Sequence, residues 1–185
     1  MVHPIKDKLK IREFYDASSS IYTQLYLKEQ LRKYMAIPHD INVNARVILD
    51  VGCGPGLLNN ILPINVYYVG LDISLKQLAQ AKNNVNPLNS DLVYGDIDSP
   101  PFRPKSFENV YSITQIHHAP NTYKQLSILS KLSKNYVILG LLKKVFRDPT
   151  ELIPEDIADI YDGGMDWLLI MSRIKLLRYL RGRET

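Results

Sequence analysis

One cysteine, Cys53, occurs in the 185 residues, so the chain cannot close a disulfide on itself. No stretch reaches the roughly 18 consecutive apolar residues that a membrane-spanning helix needs. The start, Met1-Val2-His3-Pro4-Ile5-Lys6-Asp7-Lys8, lacks the apolar centre of a secretory signal, and a cytoplasmic location is the default expectation. Internal repeats, low-complexity tracts and cysteine–histidine clusters at zinc spacing are also missing, which argues against a solenoid and against a metal centre. What is present, 45% apolar and 23% charged residues, is enough for one well-buried domain over 1–185 and too little for two of ordinary size.

The most informative stretch is Val47-Ile48-Leu49-Asp50-Val51-Gly52-Cys53-Gly54-Pro55-Gly56. An apolar run that breaks into closely spaced glycines reads as a strand buried on both faces, ending in a sharp turn with no Cβ in the way. A second strand, Val66-Tyr67-Tyr68-Val69-Gly70-Leu71-Asp72, also ends in a carboxylate, and Asp72 lies 20 residues after Gly52. That is the ribose-binding spacing of a Rossmann-like βαβ unit, in which the carboxylate accepts hydrogen bonds from ribose hydroxyls at the open end of a parallel sheet.

Four motifs in order then resemble those of class I S-adenosylmethionine-dependent methyltransferases. They are Leu49-Asp50-Val51-Gly52-Cys53-Gly54-Pro55-Gly56, Gly70-Leu71-Asp72-Ile73-Ser74, Tyr94-Gly95-Asp96-Ile97, and Ser106 to Ser112 running on to His117-His118. The resemblance covers about residues 45–142. It implies S-adenosyl-L-methionine as cofactor, with Gly52, Gly54 and Gly56 against its methionine part and Asp50 supporting its ammonium group. It further implies Asp72 on the ribose, Ile73 and Ile97 on the two faces of the adenine, Asp96 at the adenine amino group, and Gln115 near the transferred methyl. His117 or His118 would serve as a base where the acceptor must lose a proton, or the pair would only cap the strand end. In methyltransferases of this arrangement N-terminal helices often lie across the cofactor, which would bring Tyr15 and Tyr22 to it. A nicotinamide-dependent dehydrogenase fits less well, because the glycine pattern is GxGxG and the third and fourth motifs are methyltransferase-like.

Two reactions of such enzymes are disfavoured. Methylation at carbon 5 of a pyrimidine needs an attacking thiolate, and Cys53 sits inside the glycine turn as a small packing residue. Methylation of an exocyclic amine usually goes with an Asn/Asp-Pro-Pro-aromatic box, whereas this chain has Gln115-Ile116-His117-His118-Ala119-Pro120. Direct displacement from a sulfonium remains, and it asks mainly for alignment and exclusion of water.

The expected fold is α/β, a three-layer Rossmann-like arrangement with a mostly parallel sheet, helices on both faces and a shortened C-terminal edge. Helices are predicted over 5–17 and about 20–36, with Ser19 or Ser20 as cap and Ile21, Leu25, Leu31 and Met35 on one face. Together they make a lid over 1–40, ahead of a cofactor-binding core over 45–142. Strands are predicted near 47–51, 66–71, 91–95, 107–113 and 136–142, and helices near 56–62, 75–85 and 122–133.

Residues 143–185 are atypically short for the family, so one strand is expected to be missing; 167–171 reads as a strand, with helix as the alternative. Such an edge would leave surface for a partner subunit.

Charge is uneven along this part. Seven acids and no Lys or Arg fall between Asp148 and Asp166, followed by Arg173, Lys175, Arg178, Arg181 and Arg183. The two segments either face each other as an acidic helix and a basic tail or stand in solvent, or else the tail binds RNA phosphates. The absence of a sizeable insertion between or after the last strands predicts an open acceptor site, suited to RNA or protein. The N-terminal helices can equally enclose a small acceptor, and a cofactor-binding, non-catalytic subunit is a third reading.

Overall fold

The computed structural model describes residues 7–183, with the side chains of 20–26 excepted. Among these residues one long helix, α1 (Lys8–Met35), precedes alternating strands and helices: β1 (Val47–Val51), β2 (Tyr67–Asp72), α2 (Leu75–Ala81), β3 (Ser90–Tyr94), β4 (Phe107–Ile113), α3 (Thr122–Leu132), β5 (Ser133–Leu142), β6 (Asp159–Asp162), β7 (Asp166–Ser172) and α4 (Arg173–Arg181). Gly56 leads into a 3₁₀ helix over Leu57–Ile61 where the sequence predicts a helix.

The strands form one sheet in the order β3-β2-β1-β4-β5-β7-β6. Strands β1 to β5 are parallel, and β7 runs antiparallel to both β5 and β6. The order reverses between β1 and β4, and ligands of such sheets lie beyond the strand ends at that switch point. Both faces of the sheet are covered. Leu49, Val110, Leu139 and Met171 pack with Leu126, Leu129, Leu176 and Leu180 of α3 and α4 on one side. Ile48, Tyr68, Tyr111 and Ile138 pack with Tyr34 of α1, Leu57, Leu58 and Leu78 on the other. Alternate residues of one strand therefore feed two cores, which is why these strands read as unbroken apolar runs.

Four expectations are corrected. The N-terminal segment is one helix, not two. Asp7 caps it by accepting from the Leu9 and Lys10 amides; Ser19, one of the two serines expected to cap a second helix, bonds back along the first instead, its Oγ donating to the Asp16 carbonyl at 3.1 Å, as neighbouring Ser18 does to the Phe14 carbonyl at 2.9 Å, and the Ser20 side chain lies outside the described residues. Its buried face near the C-terminus is also different: Met35 is 79% exposed, whereas Gln30, Lys33 and Tyr34 are buried.

The C-terminal edge is not short of a strand. Asp159–Asp162 supplies β6, and 166–172 is the strand β7. What the chain lacks between β5 and β6 is an α-helix; turns and a 3₁₀ helix over Pro149–Glu151 make the connection. The acids of this part are used locally and form no acidic helix: Asp148 accepts from Thr150, Asp162 from Lys143 and the Gly164 amide, and Asp166 is buried. The basic tail becomes α4, held by buried Leu176 and Leu180. Both ends of the edge strand β6 are exposed carboxylates, a poor template for strand pairing with another chain. No helix among the described residues is long and apolar enough to cross a membrane.

Candidate cofactor and active site

A cavity opens beyond the C-terminal ends of β1, β2 and β4, the place where ligands of such sheets lie. Each predicted motif reaches it from its own strand end: Asp50, Gly52 and Gly54 after β1, Asp72 and Ile73 after β2, Asp96 and Ile97 beyond β3, and Gln115 and His118 after β4. Helix α1 covers it along its length through Lys8, Ile11, Tyr15, Gln30 and Tyr34.

The floor is the glycine turn. Gly52 adopts φ +69° and is packed by Gln115, whose Cγ would lie 2.6 Å from a Cβ added there. Gly54 adopts φ +52°, and a Cβ on it would find only Gln77 Oε1, at 3.8 Å, so its bare backbone faces the cavity. Asp72 braces the turn by accepting from the Gly54 amide and the Ser74 amide, both at 2.8 Å. Each carboxylate oxygen keeps a lone pair for a further donor.

Two buried groups fit an incoming polar, cationic ligand. Asp50 is 2% exposed, and Tyr68 donates to it at 2.8 Å. Burial, opposed by that hydrogen bond and reinforced by the nearby Asp72, pushes its carboxyl up to about 7. A cation in the cavity would restore the ionised form. Gln77 Oε1 is buried without a hydrogen-bond partner while its amide nitrogen donates to the Tyr15 carbonyl at 3.4 Å, so the cavity lining presents an unsatisfied acceptor. Buried acids and a bare glycine turn at one cavity fit a cationic nucleoside such as S-adenosylmethionine.

The cover is pinned at both sides of the cavity. Lys8 bridges Asp96 and Asp98 at 2.8 and 2.9 Å, so Asp96 is paired with the cover. Asp16 accepts from Ser74 Oγ at 2.5 Å, and Tyr15 Oη lies 3.0 Å from His118 Nε2.

Three of the predicted residues stand apart. Gly56 shapes the turn at φ +74° and packs on Ala81 and Val85, away from the cavity. His117 does not line the cavity; burial, then His118 and Lys33, lower its imidazole to about 3, so it stays neutral at ordinary pH and makes a poor base. The Tyr22 side chain lies outside the described residues.

Conversely, Ile11, Gln30, Tyr34, Gln77 and Thr114 line the cavity without having been singled out from the sequence, and Lys8 lines it too although the sequence suggested it only as a contact to RNA phosphates. Thr114 carried a local signal, its place within the fourth motif. The α1 residues carried none.

Residues 48–134 match the family model described as a methyltransferase domain. The chain is 29% identical over 127 residues to the 18S rRNA (guanine-N(7))-methyltransferase of Bos taurus, a match covering 68% of this chain and 43% of that protein. It is 28% identical over 168 residues to the sterol 24-C-methyltransferase of Candida albicans, covering 83% and 45%. The chain thus spans about half the length of the curated relatives it matches, or less. Among solved structures, magnesium protoporphyrin IX methyltransferase from Synechocystis PCC 6803, with bound S-adenosylmethionine, superposes with a TM-score of 0.71 at 15% identity, covering 94% of this chain and 100% of that one. That likeness is one of fold, the mostly parallel α/β sheet described above. With its ordered motifs converging on one cavity, residues 48–134 match a methyltransferase domain, and the chain has the fold of the S-adenosylmethionine-dependent methyltransferases.

Proposed function

We propose that this chain catalyses direct transfer of the methyl group of S-adenosylmethionine to an acceptor presented at the 114–118 loop. The observation that carries the reading is the convergence of Asp50, Gly54, Asp72, Ile97 and Gln115 on a cavity that α1 covers. When bound, the sulfonium supplies an activated methyl and its own leaving group, so the chain need only hold, align and exclude water. Asp50 takes the ammonium, Asp72 the ribose hydroxyls, and Ile73 and Ile97 enclose the adenine. Lys8 and Tyr15 close the cover. His118 faces the cavity and is the imidazole placed to accept a proton from the acceptor; Tyr15 orients it.

For the acceptor, RNA is the reading we favour, in a cytoplasmic setting. Lys175, Arg178, Arg181 and Arg183 are exposed on α4 and just beyond it, and Arg183 donates to Tyr123 Oη at 2.6 Å in the first turn of α3. That contact brings the basic face to the end of the sheet where the 115–118 motif lies. A relative that methylates 18S rRNA agrees with it. The cover over the cavity, together with the sterol-methylating relative, supports a small enclosed acceptor as the second reading. The non-catalytic reading loses its motive, since the sheet keeps its seven strands.

Calorimetric titration with S-adenosylmethionine, S-adenosylhomocysteine and NAD tests the cofactor assignment. Binding of the two sulfur nucleotides and not NAD, abolished by Asp72→Ala, is expected; absence of binding to both sulfur nucleotides refutes it. Whole cell extract, incubated with the protein and methyl-labelled cofactor, then separates the two acceptor readings by whether label enters RNA or small molecules.

A further inference from the structure

The least expected group in the molecule is Lys33, a lysine with 0% exposure next to the cavity wall. Its Nζ faces three oxygens: Glu29 Oε1 at 2.7 Å, Thr114 Oγ1 at 2.9 Å and Asp166 Oδ1 at 3.2 Å. Asp166 is itself fully buried at the start of β7, and its other oxygen accepts from Thr114 Oγ1 at 2.5 Å. Thr114 thus donates to an acid and accepts from a lysine, which uses its hydroxyl in both directions.

Thr114 has φ +57°, a left-handed conformation that is a genuine outlier for a β-branched residue and is kept only where the surroundings impose it. The surroundings here are specific. The Thr114 amide donates to the Gly140 carbonyl at 3.0 Å, and a Cβ at Gly140 would lie 2.9 Å from that amide nitrogen and 3.0 Å from Asp166 Oδ2. Only glycine lets β5 approach both groups so closely. Immediately after Thr114, Gln115 turns onto Gly52 and accepts from Ser112 Oγ at 3.0 Å. His118 follows three residues on.

We propose that Lys33, Asp166 and Glu29 form a buried charge cluster whose role is to position the 114–118 loop: by clamping the Thr114 hydroxyl they hold its left-handed backbone and so aim Gln115 and His118 into the cofactor cavity. The same cluster ties the cover to that loop, since Lys33 and Glu29 belong to α1 and Asp166 to β7. These are positioning residues, not catalytic ones; Lys33 and Asp166 do not line the cavity. The inference rests on the methyl-transfer reading only for the meaning of the loop, not for the clamp.

The test uses the full chain with Thr114→Val, Thr114→Ser, Lys33→Met and Asp166→Asn, read by amide hydrogen exchange and by calorimetry with S-adenosylhomocysteine. A hydrogen bond to a charged group is worth about ten-fold in an equilibrium, so Thr114→Val should speed exchange over 112–118 by about ten-fold and weaken the nucleotide by a similar factor. Lys33→Met and Asp166→Asn should act in the same direction. Exchange over 47–51 should stay as in the parent, and Thr114→Ser, which keeps the hydroxyl, should lie within about two-fold of it.

Unchanged exchange over 112–118 in Thr114→Val overturns the clamp, as does an equal rise throughout the sheet. Faster exchange with unchanged affinity overturns the link to the cavity. Should Lys33→Met fail to fold, the Val and Ser pair at Thr114 still decides. A parent that binds no S-adenosylhomocysteine refutes the methyl-transfer reading and not the clamp, which the exchange pattern judges alone.

Discussion

Asp50→Asn should make the ligand-free protein more stable at alkaline pH while removing its hold on the cofactor. Asp50 lies at the C-terminal end of β1, buried, with Tyr68 donating to it, and burial raises its carboxyl from 3.8 to about 7. The folded state therefore binds this proton more tightly than the unfolded chain does. Its contribution to stability is fully present below about 3.8 and is lost as the pH rises through about 7. Each ten-fold in proton affinity is about 1.4 kcal/mol, so the ionised carboxylate costs the folded state about 4 kcal/mol well above pH 7, and about 3 kcal/mol of that loss falls between pH 5 and pH 8.

Asparagine keeps an acceptor for Tyr68 and has nothing to ionise. Urea unfolding at the two pH values, on parent and variant, isolates this group because Asp72 and Asp166, also raised by burial, are common to both. The parent midpoint should fall by about 1 M urea or more relative to the variant between pH 5 and 8. An equal pH dependence in the two proteins would refute the assignment of Asp50 as a carboxylate kept short of its counter-charge. The same reasoning makes S-adenosylmethionine the missing counter-charge, so its affinity should rise with pH through about 7 in the parent and be weak and flat in Asp50→Asn.

Three further outcomes follow from the geometry. Asp72→Ala should weaken S-adenosylhomocysteine by about 100-fold or more by calorimetry, because in the proposed site the side chain would meet the ribose and it already fixes the Gly54 amide. Histidine ring resonances should show His117 without a titration between about pH 5 and pH 8, in keeping with an imidazole lowered to about 3; a midpoint near 6.5 would show it to be solvated. Charge reversal at Lys175, Arg178 and Arg181 should flatten the salt dependence of RNA binding by about 0.7 to 0.9 per lost phosphate contact while leaving calorimetric cofactor binding unchanged.

Much of the fold was legible because its strands are buried on both faces. Strands β1 and β4 fall at the predicted bounds, since two cores demand apolar residues at every position and the glycine turn and the acids mark the ends. Strand β6 was missed for the opposite reason. Asp159-Ile160-Tyr161-Asp162 is a four-residue edge strand with exposed acids at both ends, and nothing in so short a run distinguishes it from a turn. The single helix α1 was split because serines in sequence signal a cap equally well whether their hydroxyls close a new helix or bond back within an existing one. Only the chain before them decides.

The cavity floor was legible for the same reason as the strands: its residues are fixed by the backbone that carries them, a glycine where φ is positive and a carboxylate where a strand stops. The cover was not. Periodicity ranks a helix face by polarity, so Gln30 and Lys33 read as the wet side and Met35 as the buried one, yet a lysine can be buried when three oxygens from Glu29, Thr114 and Asp166 are brought to it. Those oxygens come from α1, the end of β4 and the start of β7, as much as 137 residues apart along the chain. No local pattern carries that pairing, because Lys33 is hidden by its partners and not by its own chemistry. The same holds for His117, whose place beside His118 suggests a base and whose burial beside Lys33 removes it from that role. Where function depends on what the backbone can do, the motif is enough; where it depends on which charges meet, the tertiary contact has to be seen.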